Sequence, residues 1–159
     1  MNNMAFFTFG KYKEVLRISL PLVLSMGATT VMEFTDRIFL GRYSMDALAA
    51  SMPAGITSFL FTSFFLGTAG YVNVFIAQYI GANDNKGVGA SLWQGIYFSI
   101  FGAVLMALIA LPAVKLFAFI GHDPEIQQLE VIYFRILCYG TGASILGTTL
   151  SCFYSGRGL

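Results

Sequence analysis

The residues best suited to chemistry in this sequence are Glu33, Asp36 and Arg37. They lie in MEFTDRIFLG, residues 32–41, at the end of an apolar run reaching back to Ile18. An ionisable side chain inside a membrane costs about 2.5–3.5 kcal/mol on insertion scales, so such groups normally face a protein interior or a wet cavity. On a helix, Ser25, Thr29, Glu33 and Asp36 succeed one another at spacings of four, four and three. Those spacings put all four on one face and predict a polar seam pointing inward. Arg37 follows Glu33 by four residues, the favourable order for a helix ion pair. Asp36 is then the carboxylate suited to take up and release a proton, or to hold a cation, as its solvation changes.

Other chemistry is sparse. His122 is the single histidine and has no second His or Cys beside it in sequence, so it reads as an exposed loop residue rather than a metal ligand. Cys138 and Cys152 fall on one predicted helix, fourteen residues and about 21 Å apart along its axis, too far for a disulfide. GANDNKGVG, residues 81–89, lacks the GxxxxGK[ST] order of a phosphate loop and reads as a turn. With no paired catalytic aspartates and no Ser/His constellation, no catalytic residue is assigned and an enzyme is not expected. Tyr71 and Gln78, seven apart, share a face, as do Arg135 and Tyr139, four apart. These are candidates for lining a cavity or for hydrogen bonds between helices.

The elements that must position these groups follow from composition. Hydrophobic residues make up 57% of the chain and charged residues 11%, against about a quarter charged in soluble domains. Mean hydropathy is +0.73. Net charge is +1, so no basic excess points to nucleic acid. Long apolar stretches cover approximately residues 15–40, 56–80, 92–120 and 126–154, each above the roughly 20 residues needed to cross a bilayer as a helix. An all-α integral membrane protein with four transmembrane helices is predicted, because backbone groups in hydrocarbon must be paired within the segment. The first run is too long for a signal-peptide core and is taken as a helix. Lys11, Lys13, Arg17, Lys86 and Arg157 fall on one side of alternating spans, with Arg42 and Lys115 on the other, which places the N-terminus in the cytoplasm. HDPEI, residues 122–126, reads as a helix start with Asp123 as N-cap and Pro124 at the first position. Gly67, Gly70, Gly95, Gly102, Gly140, Gly142 and Gly147 are expected to let helices approach closely.

PLVLSMGATTVMEFTDRIFLGRYSMDALAA followed by GTAGYVNVFIAQYIGANDNKG resembles the multidrug and toxic compound extrusion family of cation-coupled antiporters. The likeness rests on Pro21, Asp36, Gly41 and Ala47-Leu48-Ala49, on Ala77, Gln78, Gly81 and Ala82, and on the ending CFYSGRGL. It implies that residues 1–159 form part of the N-terminal lobe of a twelve-helix, two-lobe fold, with the missing C-terminal helices as partners. It also implies that Asp36 is the ion-coupling residue, binding a proton or sodium ion, while a small, cationic organic substrate is exported across the cell (inner) membrane. Thr29, Glu33, Tyr71, Gln78 and Tyr139 are the candidate cavity-lining residues; no cofactor and no metal beyond sodium at Asp36 is expected. Two alternatives are a lipid-linked oligosaccharide flippase, for which Arg37 and Arg135 are the spanning cations, and a non-transporting four-helix membrane subunit.

Overall fold

A computed structural model describes residues 9–158 of the chain. Among them the order is α1 (Phe9–Tyr43), α2 (Met45–Gly81), α3 (Asn85–Ala110), α4 (Ala113–Ile120) and α5 (Pro124–Gly156), with no strand. Four of these, α1, α2, α3 and α5, are long and apolar enough to cross a membrane. The chain divides into two compact units, Met1–Met45 and Asp46–Leu159. The side chains of Lys11 and Lys13, part of the charge asymmetry above, lie outside the described residues.

In the first unit α1 runs without interruption through Pro21, a residue that removes one intrahelical donor. Its side chains from Val23 to Phe39 are exposed.

Two boundaries differ from the sequence expectation. Residues 41–55 are not a loop, because α2 begins at Met45 and only Ser44 separates it from α1. Ala47, Ala50, Ser51 and Ala54 are buried along this added stretch. Alanine is the strongest helix former, and these small side chains pack on one face, which outweighs the breaking tendency of Pro53 and Gly55. The predicted third span, 92–120, is broken at Leu111-Pro112 into α3 and the eight-residue α4. Pro112 lacks an N–H and its ring would collide with the carbonyl of Leu108. Leu111 N–H therefore bonds to Leu108 O at 3.2 Å, while Lys115 N–H restarts the chain on Pro112 O at 2.9 Å.

The turns read from sequence are present. Asn83 takes the left-handed conformation at φ 57°, and the Asp84 carboxylate accepts from Lys86 N–H at 3.0 Å and Gly87 N–H at 3.1 Å. Asp123 caps α5 with Pro124 in the first turn.

The second unit is built on a seam between α3 and α5. Buried positions on α3 are Val88, Ser91, Gly95, Ser99, Gly102, Met106 and Ala110; on α5 they include Phe134, Cys138, Thr141, Ile145 and Thr149. Both series step by three or four residues, the spacing of one continuous helix face. At Gly95 a Cβ would lie 2.5 Å from Thr149 Cγ2 and 3.0 Å from Val72 Cγ2; at Gly142 it would lie 2.5 Å from the Ala103 Cβ. These glycines are notches for close helix approach. Among the described residues Gly67, Gly70, Gly140 and Gly147 do not play that part, since a Cβ there meets nothing within 4 Å. Hydroxyls lock the register across the seam: Ser99 to Thr149 at 3.2 Å and, from α2 to α5, Thr62 to Thr141 at 3.3 Å. Phe65, Met106, Phe117, Phe134 and Ile145 complete an apolar core shared by α2, α3, α4 and α5, with the Phe117 and Phe134 rings edge-to-face at 5.5 Å. The two cysteines are free.

Candidate functional site

On α1 the helix is continuous, so Ser25, Thr29, Glu33 and Asp36 do share one face as their spacing required. Thr29 Oγ1 donates to Ser25 O at 3.2 Å, which places its hydroxyl against its own helix. Glu33 and Asp36 are exposed within this unit. Among the described residues the Glu33–Arg37 pair is not formed. An exposed pair of this kind is worth only about 0.3–0.5 kcal/mol, too little to fix two long side chains. Asp36 and Arg37 each hold an interaction of their own.

The second unit carries a groove of about 450 Å³ between α2 and α3. Val72, Phe75 and Phe98 give it apolar walls, and Thr68, Tyr71, Ser91 and Gln94 give it polar points. Thr68 and Ser91 spend their hydroxyls within their helices, on Phe64 O at 2.9 Å and Gly87 O at 2.9 Å. Tyr71 and Gln94 are the other polar residues that line it. Gln94 is missed by sequence reasoning because a lone amide in an apolar span carries no spacing signal.

Gln78 and Tyr139 are both exposed and do not line this groove, so the structure does not gather the candidate polar residues of α2 and α5 into one site. Arg135 serves the fold, because its Nε donates at 3.3 Å to the carbonyl of Ala110, where Pro112 ends α3. A cation on a helix C-terminus satisfies a carbonyl that the break leaves open. His122 is an exposed loop residue as expected, and it also pairs with Glu130, which is wholly buried. Among the described residues no group of three His, Cys, Asp or Glu is placed to hold a metal ion.

The MatE family model matches residues 21–159, which takes in the α1 carboxylates and the whole second unit. The chain belongs to the MatE family. MatE proteins are membrane transporters, not enzymes. A relative described as a probable multidrug resistance protein NorM, from Listeria monocytogenes, is 28% identical over 156 residues, covering 96% of this chain and 34% of its own. The multidrug resistance protein PmpM of Pseudomonas aeruginosa is 28% identical over 154 residues, covering 92% and 31%. A probable NorM of Bradyrhizobium diazoefficiens is 26% identical over 135 residues, covering 85% and 29%. This MatE chain thus spans about a third of the length of the curated relatives it matches. No solved structure matches it.

Proposed function

We propose that this chain supplies the first four spanning helices of a cation-coupled multidrug exporter, with Asp36 as the coupling carboxylate. The observation that carries this is the polar face of α1: two carboxylates and a row of hydroxyls on a helix otherwise apolar enough to span a bilayer, inside the matched region. The names of the NorM and PmpM relatives support drugs as the exported class. A proton or sodium ion and an organic cation would compete for the Asp36 charge, and differential affinity of two conformations for the two ligands yields exchange. Tyr71 and Gln94 are the groups that would orient a substrate in the α2–α3 groove. The charge asymmetry supports an N-terminus in the cytoplasm. A flippase would need basic residues facing its cavity, and Arg135 is committed to the end of α3.

The test is a pair of isosteric substitutions in the full-length protein, Asp36→Asn and Glu33→Gln, assayed for proton- or sodium-driven export in vesicles and normalised to inserted protein. Asp36→Asn should abolish coupled export at normal abundance, while Glu33→Gln should retain it. Full coupled export by Asp36→Asn refutes the assignment.

A further inference from the structure

The turn between α4 and α5 holds a His–Glu contact that has no part in the function proposed above. His122 Nδ1 lies 2.7 Å from Glu130 Oε1, with the imidazole 42% exposed and the Glu130 side chain 0% exposed. The other carboxylate oxygen, Oε2, is buried and has no hydrogen-bond partner. We propose that His122 and Glu130 together bind one ionisable proton and form a proton-dependent latch, holding the Gly121–Asp123 turn to the core of α5.

The geometry requires a hydrogen between the two atoms, and the surroundings decide which charge state is tolerated. With one ionisable proton between them the pair carries no net charge, whether as imidazolium and carboxylate or as imidazole and acid. Removing that proton leaves a carboxylate that a neutral imidazole N–H still meets but no longer neutralises, beside an Oε2 with no partner, and an uncompensated buried charge is strongly disfavoured. Adding a second proton puts the extra charge on the imidazole, which water reaches. The latch is therefore weakest on the alkaline side. Because the imidazole is partly exposed, the proton exchanges with the aqueous phase on that face of the membrane.

One other side-chain bond crosses the turn, from Gln127 Nε2 to Val114 O at 3.4 Å. Gly121 ends α4 at φ 80°, and Asp123 caps α5 without a side-chain cap bond. The other charged or titratable groups on the surrounding elements are few. Lys115 on α4, and Asp123 and Glu125 at the start of α5, are exposed. Arg135 is held by Ala110 O, Asp46 of α2 and Tyr133 of α5 have interactions of their own, and Lys86 stands at the opposite end of α3. His122 is the single histidine of the sequence, so its replacement removes every imidazole from the chain.

Amide hydrogen exchange on the full-length protein in detergent, corrected for the intrinsic pH dependence of exchange, tests the latch. Protection of residues 125–131 should fall by about tenfold between pH 6 and pH 9, the scale of the difference between a hydrogen bond with a charged donor and one with a neutral donor. Residues 60–75 of α2, the internal control, should not change. His122→Gln and Glu130→Gln should each flatten the dependence at 125–131. A pH-independent native profile, or a pH dependence that survives His122→Gln, overturns the proposal. So does an equal loss of protection in both segments, since the pair would then hold the whole bundle and not the turn.

Discussion

Gly95→Ala tests the notch at the centre of the α3–α5 seam, with Gly147→Ala as its control. Both substitutions raise helix propensity by up to about 1 kcal/mol, so that contribution cancels in the comparison. They differ in what the new methyl meets: Thr149 Cγ2 at 2.5 Å and Val72 Cγ2 at 3.0 Å for Gly95, and nothing within 4 Å for Gly147. Neither neighbour can swing aside easily. Both are β-branched and stiff at χ1 in a helix, and Thr149 is also held by its hydroxyl contact to Ser99 at 3.2 Å. What remains is overpacking, typically about 1–3 kcal/mol. Gly95→Ala should therefore be less stable than Gly147→Ala by about that amount. Reversible unfolding in mixed micelles gives the measurement, followed through the single tryptophan, Trp93, which lies two residues from Gly95 and beside the Tyr97 ring at 5.9 Å. Equal stabilities, or a more stable Gly95→Ala, would refute a close seam there.

Arg135→Gln should destabilise the fold by about 1.5–3 kcal/mol, the range for a hydrogen bond to a charged group, without changing substrate selectivity; unfolding midpoints and competition transport assays read the two effects separately. Ser99→Ala should cost only about 0.6 kcal/mol, the average for interhelical side-chain hydrogen bonds in a membrane protein, and a thermal unfolding shift checks it. Cysteines placed at Ala82 and Glu125 should label from opposite sides of the membrane, with position 125 reached from outside intact cells; labelling of both from one side contradicts the alternating spans.

Much of the helical layout is legible in the sequence because hydrocarbon leaves long apolar runs one choice of form. The turn at 81–85 is legible because Asn83 and Asp84 do there what their side chains do elsewhere: tolerate φ above zero and cap a helix. The break at Pro112 is concealed because the residues on both sides of it stay apolar, and hydropathy does not register a missing N–H. The early start of α2 is hidden by Pro53 and Gly55, whose local preference loses to burial of the alanine face. Glu130 is hidden too, although a signal exists: it lies four residues before Phe134 and eight before Cys138, on the stripe that forms the core face of α5. A carboxylate on a core stripe needs a partner, and His122 is the nearest unassigned group. The shared face on α1 follows from spacing alone, whereas the α2–α3 groove depends on which faces of two helices meet, which one sequence does not encode locally.

The interlocked seam also limits how this protein can move. Sliding α3 past α5 by one turn, about 5.4 Å, would carry Thr149 away from the Gly95 notch and Ile145 away from the space beside Gly102, while separating the Ser99 and Thr149 hydroxyls. Each displaced side chain would then meet a filled position. The pair has no neighbouring register in which to rest, so α3 and α5 travel as a single rigid body. Conformational freedom in any transport cycle must be supplied by joints outside that body.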